Sequence, residues 1–231
     1  MARWLAELTG HSFDLEELPR LFSAREFRVV QTDGGYFLEA EAFDTSTSGV
    51  AVHAEATALM PIINGIGKLK DRSFRDVAIG HVRELRRDGT TQQHVVVSAD
   101  TVEGRAKVSA LLVTGGETEM TAPEPGSLDS DHWLRATRAN PEAQRALALW
   151  GGPHDPLNLW KVWELVRDHS GVDVDRDLVR RFRPSTNDPS IAGDDARHEV
   201  PRHKIEPDTM SLPEAEAFLG GLLIGWLSSV E

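Results

Sequence analysis

Apolar and polar positions alternate along the first half of the chain and recur at helical spacing along the second. Tyr36, Leu38, Ala40 and Ala42 interleave with Phe37, Glu39, Glu41 and Phe43, the period of two expected of a half-buried strand. Asp33-Gly34 separates this run from Phe27–Gln31 and predicts a hairpin, because glycine accepts a positive φ. Asp88-Gly89 repeats the signal between Val77–Arg87 and Thr91–Ala99, and a further strand, Arg105–Val113, would complete a meander. A strand Arg3–Leu8, a short helix after Asp14 (Leu15, Leu18, Leu21, Phe22) and a helix Val50–Leu69 fill the intervals. Pro61, Gly65 and Gly67 weaken that last helix. The sum is an antiparallel sheet with one or two helices packed on one face.

The second half reads as helices. Asp155-Pro156 places an N-cap before proline at the first helical position, and the helix Leu157–His169 stops at Gly171. Ser211, Pro213 and Glu214 form a capping-box signature. Ala215, Phe218, Leu219, Leu222, Leu223 and Trp226 follow it at i, i+3, i+4, i+7 spacing. Gly221 and Gly225, one turn apart, would admit a neighbouring helix at close range. A small helical bundle is the expected architecture. From Gly115 to Ser127 the chain is rich in Gly, Pro, Thr and Glu without an apolar period, as linkers are. The fold class is therefore α+β: a sheet domain over 1–115, a linker over 116–127 and a helical domain over 128–231.

Composition narrows the chemistry. The 231 residues are 40% hydrophobic, which suits a packed core, and carry a formal charge of −12. The absence of cysteine excludes disulfides, thiolate catalysis, Fe–S clusters and cysteine-based zinc sites. The run Ala217–Val230 falls short of the ~20 residues needed to span a bilayer. Glu7 interrupts the start where a signal peptide needs a continuous apolar stretch. The expectation is a cytoplasmic protein without a membrane partner. Phosphate-loop, dinucleotide-binding, HExxH and GxSxG motifs are all missing from the sequence. His53, His81 and His94 each stand alone in an apparent element, and no metal site or cofactor is expected. Five of the six tryptophans follow the linker and belong to helix packing, unless exposed ones serve as partner anchors.

Against this acidic background the segment Arg176–Lys204 is net basic, with Arg176, Arg180, Arg181, Arg183, Arg197, Arg202 and Lys204 against five acids. Arg176, Arg180 and Arg183 share one helical face by their spacing of four and three. After Pro184 a long loop is expected, from Ser185 to Gly193. Concentrated Arg and His suit phosphate binding with proton transfer near neutral pH. Arg176, Arg180, Arg183, Asn187 and Arg202 are the candidate binding residues. A solvated basic face that pairs with the acidic remainder is the plainer reading of the same charges.

Two resemblances attach to this region. Asn187-x-Pro189, Gly193-x-x-Ala196-Arg197-His198, Met210-x-Leu212 and the terminal helix ending in Trp226-Leu227 resemble the C-terminal part of a bacterial family of uncharacterised proteins, which implies no activity. Arg197-His198-x-x-x-x-His203 is similar to the Arg-(polar)-x-His motif of HEPN ribonucleases, which are small helical bundles. In that family the Arg and His meet across a dimer and cleave RNA without metal. The resemblance implies Arg197 and His203 as catalytic residues, with His198 as the polar second residue. The His would move the 2′-hydroxyl proton and the Arg would stabilise charge on the phosphate. The favoured expectation is nevertheless a non-catalytic binding, sensor or adaptor protein, with the endoribonuclease as the alternative. The partner is then another protein or an RNA, and a homodimer is open through the glycine-bearing last helix.

Overall fold

The computed structural model describes residues 3–24, 27–86, 88, 90–95, 128–193, 196, 205 and 207–230. The described residues form two compact units, one from positions 3–60 and 75–95 and the other from positions 61–74 and 128–230. The architecture is α+β, with an N-terminal antiparallel sheet and its helices followed by a set of helices. The further strand expected over Arg105–Val113 and the linker over 116–127 lie outside the described residues.

The sheet unit contains β1 (Arg3–Thr9), β2 (Ser23–Ala24), β3 (Phe27–Thr32), β4 (Gly35–Ala40), β5 (Ala78–Leu85) and β6 (Thr91–His94). All pair antiparallel, in the order β2-β3-β4-β1-β5-β6. Helix α1 (Ser12–Leu21) packs against β3, burying Leu18 and Leu21. The β3–β4 hairpin closes at the Thr32↔Gly35 pair, so Asp33 and Gly34 are its turn. The positive φ falls on Gly35 (φ 120°) and not on Gly34. Strand β4 ends at Ala40, earlier than its alternation suggests. A 3₁₀ turn, Glu41–Thr45, takes over, with Ser46 N–H bonded to Phe43 O at 3.0 Å and Phe43 fully buried.

Ala6, Val29, Leu38 and Val82 share one sheet face by register and are buried. The opposite face is not simply polar. Phe37 lies buried there with Leu5 and Val30, packed by Leu85. The Arg83 guanidinium sits 4.4 Å above the Phe37 ring, a cation–π contact that favours charge over an aromatic face. Glu39 on the same face accepts from Arg3 Nη2 and Arg28 Nε, each at 2.7 Å.

Helix α2 (Gly49–Lys70) contributes residues up to Met60 to the sheet unit and residues from Pro61 to the helical unit. The helical unit adds α3 (Leu128–Ala139), α4 (Pro141–Trp150), α5 (Pro156–His169), α6 (Arg176–Asn187), α7 (Pro189–Ala192) and α8 (Leu212–Ser229). Local sequence fixes the starts of these helices. Asn140 accepts the Ala143 N–H at 3.0 Å and Asp155 the Asn158 N–H at 2.7 Å, each ahead of a proline. Glu214 accepts both the N–H and the hydroxyl of Ser211 at 2.8 Å, which pulls its carboxyl below the ordinary range, the backbone bond contributing most.

Trp133, Trp150, Trp160, Trp163 and Trp226 are all buried. They are core residues, which removes them as exposed partner anchors. Trp163 packs 5.6 Å from Phe182, and Phe182 lies 5.6 Å from Phe218, joining α5, α6 and α8. Gly220 makes the close approach on α8, since a Cβ there would sit 3.2 Å from Trp150. A Cβ on Gly221 or Gly225 would meet nothing within 4 Å. Among the described residues no helix is long and apolar enough to cross a membrane.

Candidate anion-binding groove

Helix α5 ends at His169, and Gly171 turns the chain with φ 66°, a left-handed conformation that disfavours a side chain. The short connection carries Val172 and Val174 toward Asp175, which caps α6 by accepting the Asp177 N–H at 2.8 Å. This return lays the end of α5 beside the first turns of α6 and leaves a groove of about 770 Å³ between them. Its floor is apolar, made by Trp163, Val172, Val174, Val179 and Pro184. Arg167, Arg176, Arg180 and Arg183 line it with charge, and Thr209 adds a hydroxyl.

The four arginines are not equivalent. Arg167 is paired with its neighbour Asp168, Nε to Oδ1 at 2.6 Å and Nη2 to Oδ2 at 2.7 Å. That hydrogen bond raises the Arg167 pKa and lowers that of Asp168. Arg180 is paired with Asp208, Nη2 to Oδ2 at 2.6 Å, and with Asp177 at 3.6 Å. Among the described residues no carboxylate pairs with Arg176 or Arg183, and both side chains are exposed. They stand seven positions apart on the helix, a rise of about 10 Å along α6.

Helix α6 continues through Pro184 to Asn187 where the sequence suggests a loop, and α7 follows at once. Proline forfeits one backbone bond, and the polar residues after it tie this end of α6 to its own backbone and to the return before α8. Ser185 Oγ donates to Met210 O, Asn187 Nδ2 donates to Arg183 O at 2.9 Å, and Asp188 N–H bonds to Pro184 O at 3.0 Å. Ser185, Thr186, Asn187 and Asp188 are buried as a result. The segment before α8 reinforces the same end, with Met210 N–H bonded to Arg181 O at 3.0 Å.

The structure thus brings Arg176, Arg180 and Arg183 to one groove, whereas Asn187 turns its amide to the α6 backbone. Arg197, His198, Arg202 and His203 lie outside the described residues. Arg167 and the valines were not legible as site residues from charge, because Arg167 precedes the basic segment by a whole turn and loop. The Val172-x-Val174 alternation next to a helix stop was the available signal. Among the described residues no group of three His, Asp or Glu side chains could hold a metal ion. No protein-family model, curated protein or solved structure matches the chain, so the groove itself carries the functional argument.

Proposed function

We propose that this is a non-catalytic binding protein whose helical unit receives an anionic partner in the α5–α6 groove. One observation carries the reading: Arg176 and Arg183 stand exposed beside an apolar floor, with no carboxylate partner among the described residues. An exposed guanidinium next to apolar surface favours ligands that combine negative charge with an apolar body.

The test is a fluorescence titration with anilinonaphthalene sulfonate, an amphipathic anion. Arg176→Ala with Arg183→Ala is expected to weaken binding by about tenfold while the far-ultraviolet spectrum stays unchanged. Equal affinity in the double variant would remove the groove as the site. The ribonuclease alternative is tested on the same samples with a fluorogenic RNA. The binding reading predicts no turnover above buffer, and cleavage abolished by Arg197→Ala or His203→Ala would replace it.

A further inference from the structure

We infer that the groove's occupant is an acidic amphipathic α-helix of a partner protein, an assignment that rests on the binding role proposed above. The argument starts from the spacing of charge. The exposed Arg176 and Arg183 stand at the two ends of a row on α6, and the residue between them, Arg180, is already neutralised by Asp208. The row therefore offers positive charge at i and i+7 and little in the middle. A helix laid alongside α6 has the same rise per residue, so acids at its own i and i+7 positions fall opposite both open guanidinium groups. Its neutral or apolar positions between them pass Asp208 and Asp177 without repulsion.

The floor fits the same occupant. Val172, Val174 and Val179, all half-buried, present branched aliphatic surface, the complement of Leu, Ile or Val at i, i+3 and i+4 of an amphipathic helix. A groove of about 770 Å³ has room for several such side chains. A single-stranded nucleic acid fits less well. It carries a charge on every residue, which would meet Asp177 and Asp208, and it needs exposed aromatic rings on which bases stack. Among the described residues the one aromatic side chain lining the groove, Trp163, is 2% exposed and offers no ring face.

The experiment uses the full chain and three labelled probes in fluorescence anisotropy. The first is a model helix with aliphatic residues on one face and glutamates at i and i+7 beside it. The second is the same composition scrambled, and the third is an oligouridine. The acidic helix is expected to bind at least about tenfold more tightly than the other two. Arg183→Glu should abolish that binding, and a peptide with lysine in place of the matching glutamate should restore it. A purely structural role for Arg183 would give loss without restoration and would overturn the inference. Equal binding of the scrambled peptide, or preferential binding of RNA through Arg176 and Arg183, would also overturn it while leaving the anion-binding role standing. Failure of all three probes together with anilinonaphthalene sulfonate would remove both.

Discussion

Arg180 and Asp208 lie 28 residues apart in sequence and meet in a forked ion pair, with Nη2 2.6 Å from Oδ2 and Nη1 3.2 Å from Oδ1. Arg181 Nε donates to the main-chain oxygen of the same aspartate at 2.7 Å. One residue of the segment entering α8 therefore ties two successive arginines of α6. The hydrogen bond from Arg180 holds the Asp208 carboxyl below its ordinary range, so the aspartate is ionised at neutral pH. Its charge subtracts one cation from the middle of the groove's row while its neighbours Arg176 and Arg183 stay open.

Asp208→Asn should therefore act as a gain of binding. The substitution keeps the side-chain shape but releases Arg180 from its counter-ion. Binding of anilinonaphthalene sulfonate is expected to tighten about two- to fivefold, the range that an exposed ion pair is worth. The gain should shrink as salt is added, because the groove is open to solvent. Titrations at low and moderate ionic strength check this, and weaker binding by Asp208→Asn at both would contradict it.

The sheet unit has a separate charge device in Glu39. Burial by itself would raise the carboxyl's pKa, but the hydrogen bonds from Arg3 and Arg28 outweigh it and leave the value lowered. A depressed native pKa contributes stability that is present above the unfolded value and lost as pH falls through the native one. Acidification below the ordinary carboxylate range should therefore weaken the sheet unit. Glu39→Gln should cost ~1–2 kcal/mol at neutral pH, as expected for lost charge-assisted hydrogen bonds, and should flatten the acid side of the stability profile. Urea unfolding across a pH series reads both effects, and an unchanged acid limb in the variant would refute the assignment.

Much of the fold was legible because the signals are local. Asp155-Pro156, Gly171 and the Ser211–Glu214 box each name a helix boundary by chemistry that acts within four residues, and the structure has helix ends at all three. Asn140-Pro141 carries the same chemistry and opens α4. What local pattern could not convey was tertiary. Pro184 reads as a helix stop, yet α6 runs past it, with buried Ser185 bonded to Met210 O and buried Thr186 and Asn187 bonded back to Arg183 O. Phe37 falls on the strand face that also carries Glu39 and Glu41, and Leu5 and Val30 bury it there.

The candidate site was legible only in part. The i, i+4, i+7 spacing of Arg176, Arg180 and Arg183 put them on one helix face, and all three line the groove. Nothing in their spacing tells which of them keeps a free charge. That depends on Asp208, which arrives from another segment, and on Asp168, which sits beside Arg167 at the far wall.

The helical unit also tests what glycine does when two backbones touch. A Cβ on Gly151 would sit 2.0 Å from Pro61 O and 2.9 Å from Gly65 N, and one on Gly65 would sit 2.5 Å from Leu147 O. These neighbours are main-chain atoms, so no flexible side chain can swing away. Lys68 Nζ holds the same junction by donating to Gly151 O at 2.9 Å and Gly152 O at 2.8 Å, which places a cation at the C-terminal end of α4. Gly151→Ala must therefore separate α2 from α4 and is expected to cost about 3 kcal/mol, the upper range for overpacking. Gly221→Ala is the internal comparison: that residue is exposed, lies inside α8, and has nothing within 4 Å of its would-be Cβ. Its replacement should stabilise the chain by about 0.5–1 kcal/mol through helix propensity. Urea denaturation of the two variants should move the midpoint in opposite directions. A stabilised Gly151→Ala would mean that α2 and α4 do not approach at this point.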